Sequence, residues 1–318
     1  MEIILQFVIL FALISVGYGA KKFKIISNAM NKDVGNILVY LSLPSLIFAS
    51  LAGFAFSPRI LQEGSSLLII AFFLYLLMIG VSYLLPRWSA APGKKRDLFQ
   101  FALVFGNTGF LGFPIAFIVF GEKGVFFMAV CDIFFSILVW TFGVMVLCRH
   151  ARQDEPVDFI HSAKHALRQL TNPNIIAVVL GLAVFALQIP LPETSLRFFE
   201  LLGGLTTPLS MIFIGSMLAD IPLKGILADF SIIVISLERL LVVPAIVGAI
   251  LFFTGFAGML LAIPILYCAM PVAASTPILA LKYGNDEHLS ARLVFISTIL
   301  SMLTLPLVIF LIRLIIAL

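Results

Sequence analysis

The sequence predicts an all-α polytopic membrane protein. Ten transmembrane helices are expected, as two inverted five-helix repeats with broken, crossing helices 4 and 9. Three observations carry this expectation. The 318 residues are 62% hydrophobic and 11% charged, with mean hydropathy +1.16, whereas soluble domains are about half apolar and about a quarter charged. Ten apolar stretches approach the roughly 20 residues that a helix needs to cross a bilayer. Prolines recur at nearly one offset between the two halves.

The composition excludes a secreted soluble domain, a nucleic-acid module and a disordered chain. The net charge of +4 and pI near 9.0 therefore bear on the sidedness of loops rather than on nucleic acid. The ten stretches are residues 2–20, 33–54, 65–86, 98–119, 123–148, 173–190, 196–218, 228–253, 257–281 and 288–317, cut at the polar clusters between them. No basic run precedes the first, and no small-residue cleavage site follows Leu13, so it reads as a retained span rather than a signal peptide. Gly, Pro, Ser and Thr thin the apolar content of the seventh and ninth.

The longest polar segment, Arg149 to Asn172, leaves five spans on each side. Residues 1–148 are thus expected to form the first repeat, 149–172 a cytoplasmic linker and 173–318 the second repeat. If the chain starts outside, fifteen lysines and arginines fall on cytoplasmic loops and four on the opposite side. This asymmetry follows the positive-inside rule. It predicts a multi-pass protein of the plasma membrane (the bacterial inner membrane), with both termini on the non-cytoplasmic side.

Five spans per half is an odd number, so the second half enters the membrane upside down. Pro44 and Pro208 are 164 residues apart, Pro58 and Pro222 also 164, and Pro114 and Pro277 163. Around the last pair, Pro114-Ile115 and Phe120-Gly121-Glu122 align with Pro277-Ile278 and Tyr283-Gly284-Asn285. Span 2 therefore maps on span 7, and span 4 on span 9.

Spans 4 and 9 both carry helix breakers. Gly106-Asn107-Thr108-Gly109-Phe110-Leu111-Gly112-Phe113-Pro114 holds three glycines and a proline, and Met270-Pro271-Val272-Ala273-Ala274-Ser275-Thr276-Pro277 holds two prolines. Such segments do not continue an α-helix without cost. Lipid cannot satisfy the freed backbone groups, so they must be buried in protein or line a wet cavity. Paired interruptions in corresponding spans point to a binding site near the membrane midplane. The second half-helices are expected to start near Gly112–Pro114 and Ser275–Pro277, where N–H groups and the helix dipole attract anions. Asn107, Thr108, Gly109, Gly112, Pro114, Pro271, Ser275, Thr276 and Pro277 are the candidate substrate-binding residues. The chemistry favours a small anion such as a carboxylate. The alternative is a pair of kinks packed for helix contact.

Three charged residues fall inside apolar spans: Asp132 in span 5, and Glu238 and Arg239 in span 8. Ionisable groups at that depth are costly and mark functional sites by default. Asp132 and Glu238 are candidates for the coupling ion or proton; Asp132 could equally brace the broken span 4. Neighbours on a helix diverge by about 100°, so Glu238 and Arg239 do not simply pair. Arg239 is a candidate anion contact or a structural cation. Cys131, Cys148 and Cys268 sit in apolar runs without paired spacing, and no disulfide framework is expected. His161 and His165 are i, i+4 but lack a carboxylate motif, so no metal site or cofactor is expected.

The same residues resemble the auxin efflux carrier family, which includes bacterial malate and malonate permeases and, more distantly, the plant PIN exporters. The likeness rests on Leu41-Ser42-Leu43-Pro44, the Gly106–Pro114 motif, Asn172-Pro173-Asn174-Ile175-Ile176, Thr207-Pro208-Leu209 with Gly215, and Met270-Pro271 with Leu279-Ala280 and Tyr283-Gly284. It runs over nearly the whole chain. It implies a fold similar to bile-acid and sodium/proton transporters, and transport of organic anions at a crossover of spans 4 and 9. Asn107, Pro114 and Pro277 would then lie at the substrate carboxylate. Many relatives have an Asn shortly after the Met-Pro of span 9, where this chain has Ser275 and Thr276. The long loop of the plant exporters is missing.

The expected function is secondary active transport of small mono- or dicarboxylates by alternating access, driven by a proton, sodium or substrate gradient. An anion channel or a non-transporting membrane sensor is the alternative. An intramembrane enzyme is not expected, because the chain lacks clustered buried carboxylates and a buried histidine. No P-loop is present, so ATP coupling within the chain is not expected. The expected partners are the organic anion and the bilayer, with a homodimer compatible with this architecture.

Overall fold

The computed structural model of the chain describes residues 2–54, 56–85, 92–150, 172–221 and 229–317. The regular structure of the described residues is helical apart from one isolated bridge, with turns and short irregular segments between the helices. Helix α1 is Glu2–Lys22. Helix α2 (Asn28–Ile37) continues through a π turn, Leu38–Ser42, into α3 (Leu43–Ala52). Then follow α4 (Pro58–Leu84), α5 (Gly93–Val104), a π turn Thr108–Gly112, α6 (Phe113–Leu138), a π turn Val139–Gly143 and α7 (Val144–Cys148). The later elements begin with α8 (Pro173–Leu187), α9 (Glu193–Gly204) and α10 (Thr206–Asp220). Helix α11 (Phe230–Leu237) leads through a π turn, Glu238–Val242, into α12 (Val243–Phe253), and α13 (Met259–Cys268), α14 (Thr276–Lys282) and α15 (Glu287–Ala317) complete the set.

Seven helical runs among the described residues are long and apolar enough to cross a membrane; Pro173–Leu187 and Met259–Cys268 are shorter apolar helices. The difference from ten has local causes. Gly121 adopts φ 66° and ψ −154° inside α6, so Thr108–Cys148 counts as one run although the chain turns sharply within it. Helix α13 is the part of span 9 before its interruption, and α14 the part after it. At about 1.5 Å per residue, neither short helix alone matches the roughly 30 Å of a hydrocarbon core. His161 and His165, Pro222 and nearly all of the 149–172 linker lie outside the described residues.

Prolines account for most of the irregular turns. A proline lacks its N–H and crowds the carbonyl four residues earlier. Three π turns end just before one: Leu38–Ser42 before Pro44, Thr108–Gly112 before Pro114, and Glu238–Val242 before Pro244. The crowded carbonyls, those of Tyr40, Phe110 and Leu240, all lie in the wide turn, which relieves the clash. Val139–Gly143 has no such proline.

The chain divides into two compact units, 1–68 with 109–130 and 170–220, and 69–108 with 131–169 and 221–318. In the first unit, α1 packs on α10 and α8 on α3. Both contacts depend on glycine. A methyl added at Gly17 would overlap the carbonyl of Ile212, and one at Gly215 would overlap the carbonyl of Ile14. One at Gly181 would lie 2.6 Å from the Leu51 Cβ. Where hydrophobic association is weak, as in lipid, close backbone approach at small residues holds helices together. Lys21 pairs with Asp220 at 3.1 Å and Lys22 donates to the Ala219 carbonyl at 2.8 Å, both at the C-terminus of α10.

The second unit holds the deepest core, including Phe99, Phe101, Leu103, Phe105, Tyr267 and Cys268, all 0% exposed. The three cysteines are free and buried. Asp97 is also fully buried, a site that the hydropathy pattern did not single out. His150 Nδ1 lies 2.8 Å from it and Arg149 Nη1 3.6 Å. Burial pushes the Asp97 carboxyl above its ordinary range, and His150 and Arg149 oppose that shift.

Gly17→Ala should lower stability by about 1–3 kcal/mol through overpacking. Gly80→Ala, where a methyl meets nothing within 4 Å, should be neutral or stabilising by up to about 1 kcal/mol. Thermal unfolding of the detergent-purified variants measures both.

Candidate functional site at the paired helix breaks

Helix α5 ends at Val104, and Phe105 is extended (φ −107°, ψ 108°). Helix α13 ends at Cys268, and helix resumes only at Thr276. The two gaps pair with each other. Gly106 and Val272 form an antiparallel bridge, the Asn107 N–H donates to the Pro271 carbonyl at 2.7 Å, and the Ala273 N–H donates to the Phe105 carbonyl at 3.1 Å. The Val272 N–H donates to Ser297 Oγ of α15 at 3.1 Å. Pro271 cannot donate, but its carbonyl is the acceptor used here. Backbone groups that lipid would leave stranded are thus satisfied by protein.

The first restart differs from expectation. Helix resumes at Thr108, not near Gly112–Pro114, because the π turn Thr108–Gly112 absorbs the effect of Pro114. Gly109 and Gly112 lie within that turn and Pro114 in the first turn of α6; all three belong to the first unit. The second restart lies where expected, with Ser275 preceding α14 and Pro277 in its first turn. Asn107, Thr108, Pro271, Ser275, Thr276 and Pro277 belong to the second unit, where Asn107, Thr108, Pro271 and Thr276 are buried.

Two of the hydroxyls hold the breaks rather than point outward. Thr108 Oγ1 donates to Asp132 Oδ1 at 2.7 Å, and Thr276 Oγ1 donates to the Ala273 carbonyl at 2.6 Å. Asp132 Oδ1 also accepts from the Tyr267 hydroxyl at 3.1 Å, and the Tyr75 hydroxyl lies 2.7 Å from that of Tyr267. Thr108 opens the helix after the first break, and Tyr267 sits in the last turn before the second. One carboxylate oxygen therefore ties both interrupted helices. Asp132 is only partly buried, so it is neither sealed in the core nor a loop residue.

Arg239 is 0% exposed. Its Nε donates to the Met270 carbonyl at 3.1 Å, and its Nη1 donates to the Leu103 carbonyl and approaches Met78 Sδ at 3.8 Å. Leu103 lies in the last turn of α5 and Met270 follows α13. The guanidinium thus sits at two helix C-termini, the negative ends of their dipoles. Glu238 beside it is half-buried. Among the described residues its Oε2 has no hydrogen-bond partner, and it does not pair with Arg239.

The expectation from sequence omitted Gly106, Tyr75, Tyr267 and Ser297. Tyrosines within apolar spans were a usable signal, since a buried hydroxyl needs a partner. A methyl at Gly106 would overlap Arg239 Nη2; nothing in the sequence pairs those two residues.

A family model described as membrane transport protein matches residues 2–309. An uncharacterized transporter of Methanocaldococcus jannaschii is 28% identical over 94% of this chain and 95% of its own. An uncharacterized transporter of Methanothermobacter thermautotrophicus is 26% identical over 93% of each chain. A protein of Rhizobium meliloti named "Putative malonate transporter" is 23% identical over 88% of this chain and 86% of its own.

Tyr267→Phe removes a donor to Asp132 and the partner of the buried Tyr75 hydroxyl. It should cost about 1–3 kcal/mol, read as a lower unfolding temperature in detergent. Adding Tyr75→Phe should restore part of that loss, because no hydroxyl is then left unpaired.

Proposed function

Because the chain belongs to the membrane transport protein family, which includes the auxin efflux carriers, we propose that it is a secondary active transporter of small carboxylates. In this proposal ten transmembrane helices form two inverted repeats in the bacterial inner membrane, with both termini on the non-cytoplasmic side. Substrate binds at the paired breaks and crosses by alternating access. The observation that carries the proposal is the backbone pairing of Gly106-Asn107 with Pro271-Val272. Two helices interrupted at the same place, with polar side chains around the gap, form the arrangement in which carriers bind ions and small solutes.

Contacts within the first unit support the inverted repeat. Ser42 Oγ and Thr206 Oγ1, 164 residues apart, hydrogen-bond to each other. That separation equals the proline offset, so a position meets its own repeat mate, as happens on a two-fold axis. Gly17 of α1 packs on α10 and Gly181 of α8 packs on α3; these glycines are also 164 apart, as are Leu51 and Gly215. The pair Asn107 and Pro271 has the same separation.

The paired breaks favour an anion through the start of the helix that runs from Thr108 to the turn at Gly121. Helix α14 has only seven residues and adds little dipole. Asn107 beside the first break and Ser275 before the second helix restart are the side chains proposed to meet the substrate carboxylate. Asp132 is the proposed coupling group: a proton or cation arriving there competes with Thr108 and Tyr267 for the same carboxylate. The name of the rhizobial relative makes malonate the first substrate to test.

Asn107→Ala should abolish malonate uptake and counterflow in proteoliposomes while the protein stays folded by thermal unfolding. Unchanged transport would contradict the site. Counterflow separates a carrier from a channel, which cannot exchange against a gradient. Asp132→Asn should remove the pH or sodium dependence of uptake; if both dependences survive, Asp132 is structural.

A further inference from the structure

The second unit buries a guanidinium that no carboxylate among the described residues neutralises. Arg239 forms no ion pair there, and its polar contacts are the Leu103 and Met270 carbonyls and the Met78 sulfur. Among the described residues its buried Nη2 has no hydrogen-bond partner. That nitrogen faces Gly106, at the place where a side chain would otherwise stand. Guanidinium keeps its charge in proteins, and a buried charge left unpaired is strongly unfavourable. Two carbonyl dipoles offset part of this cost. An anion at the breaks, beyond the Gly106-Asn107 backbone, would offset more.

We propose that Arg239 is the specificity-determining charge of the paired breaks, held at the two helix C-termini with Nη2 against Gly106, and that it makes the site prefer dianions to monoanions. This rests on the carboxylate-carrier function proposed above. Arg239 is a positioning residue rather than a direct ligand. Its rigid fork holds Leu103 and Met270 together, and its net charge acts on the substrate through the backbone. At an effective dielectric near 20, one further negative charge about 10 Å away is favoured by roughly tenfold in affinity. Gly106 belongs to the same device, because any side chain there would displace Nη2.

Malonate, a dianion, and monomethyl malonate, a monoanion of nearly the same shape, provide the test. Their affinities are measured by thermal shift and uptake competition for the full chain and for Arg239→Lys, Arg239→Gln and Arg239→Met. The unaltered protein should prefer malonate by about tenfold, and Arg239→Lys should keep that preference within about threefold. Both neutral variants should bind the two ligands nearly equally. A purely structural role would weaken both ligands together and leave their ratio intact, and that result would overturn the proposal. If neither neutral variant folds, Gly106→Asp carries the test. Its carboxylate stands against Nη2 and neutralises the guanidinium charge, so the malonate preference should fall to near unity; an unchanged ratio overturns the proposal. If the unaltered protein binds neither these ligands nor any of a panel of mono- and dicarboxylates, the carrier function fails instead.

Discussion

A backbone that leaves the helix inside lipid must find its hydrogen bonds in protein. The architecture of the second unit answers that constraint at one place. Two interrupted helices supply each other's missing partners through Phe105, Asn107, Pro271 and Ala273. Ser297 takes a further N–H, and Arg239 takes the carbonyls at the two helix ends. Without this mutual satisfaction, each gap would carry several kcal/mol of unpaired polar groups.

The few charged residues are distributed accordingly. Helix C-termini at a break are negative and helix starts are positive. Arg239 lies at the former, and Asp132 contacts Thr108 at one of the latter. A cation and an anion each serve a dipole end rather than each other. In the proposed carrier both would respond to a solute, the guanidinium to an anion and the carboxylate to a proton or cation.

Much of this was legible in the sequence. The glycines and prolines of spans 4 and 9 located both interruptions, because their backbone limits hold in any environment. The start of the first half-helix was misplaced. Pro114 marks where an α-helix is obstructed, yet a π turn accommodates that obstruction upstream and lets helix begin at Thr108. Seven long helical runs stand where ten spans are expected; the sequence places the boundary between spans 4 and 5 at residues 120–122, where Gly121 turns the chain sharply inside a single helical run. Hydropathy marks the depth of Arg239 but not that of Asp97, which sits beside a polar cluster at a helix end and yet is fully enclosed. The partners of Arg239 are backbone carbonyls, and sequence carries no mark of them.

The central claim is that a carboxylate binds at the paired breaks beside Asn107. Solid-state NMR of the membrane-embedded protein tests it most directly, through the dipolar coupling between carboxyl-¹³C malonate and side-chain-¹⁵N asparagine. Replacing Asn107 in a parallel sample assigns the signal. A carbon–nitrogen distance of about 4 Å or less, as a direct hydrogen bond requires, is the predicted result. Saturating malonate with no coupling to Asn107 would contradict the account.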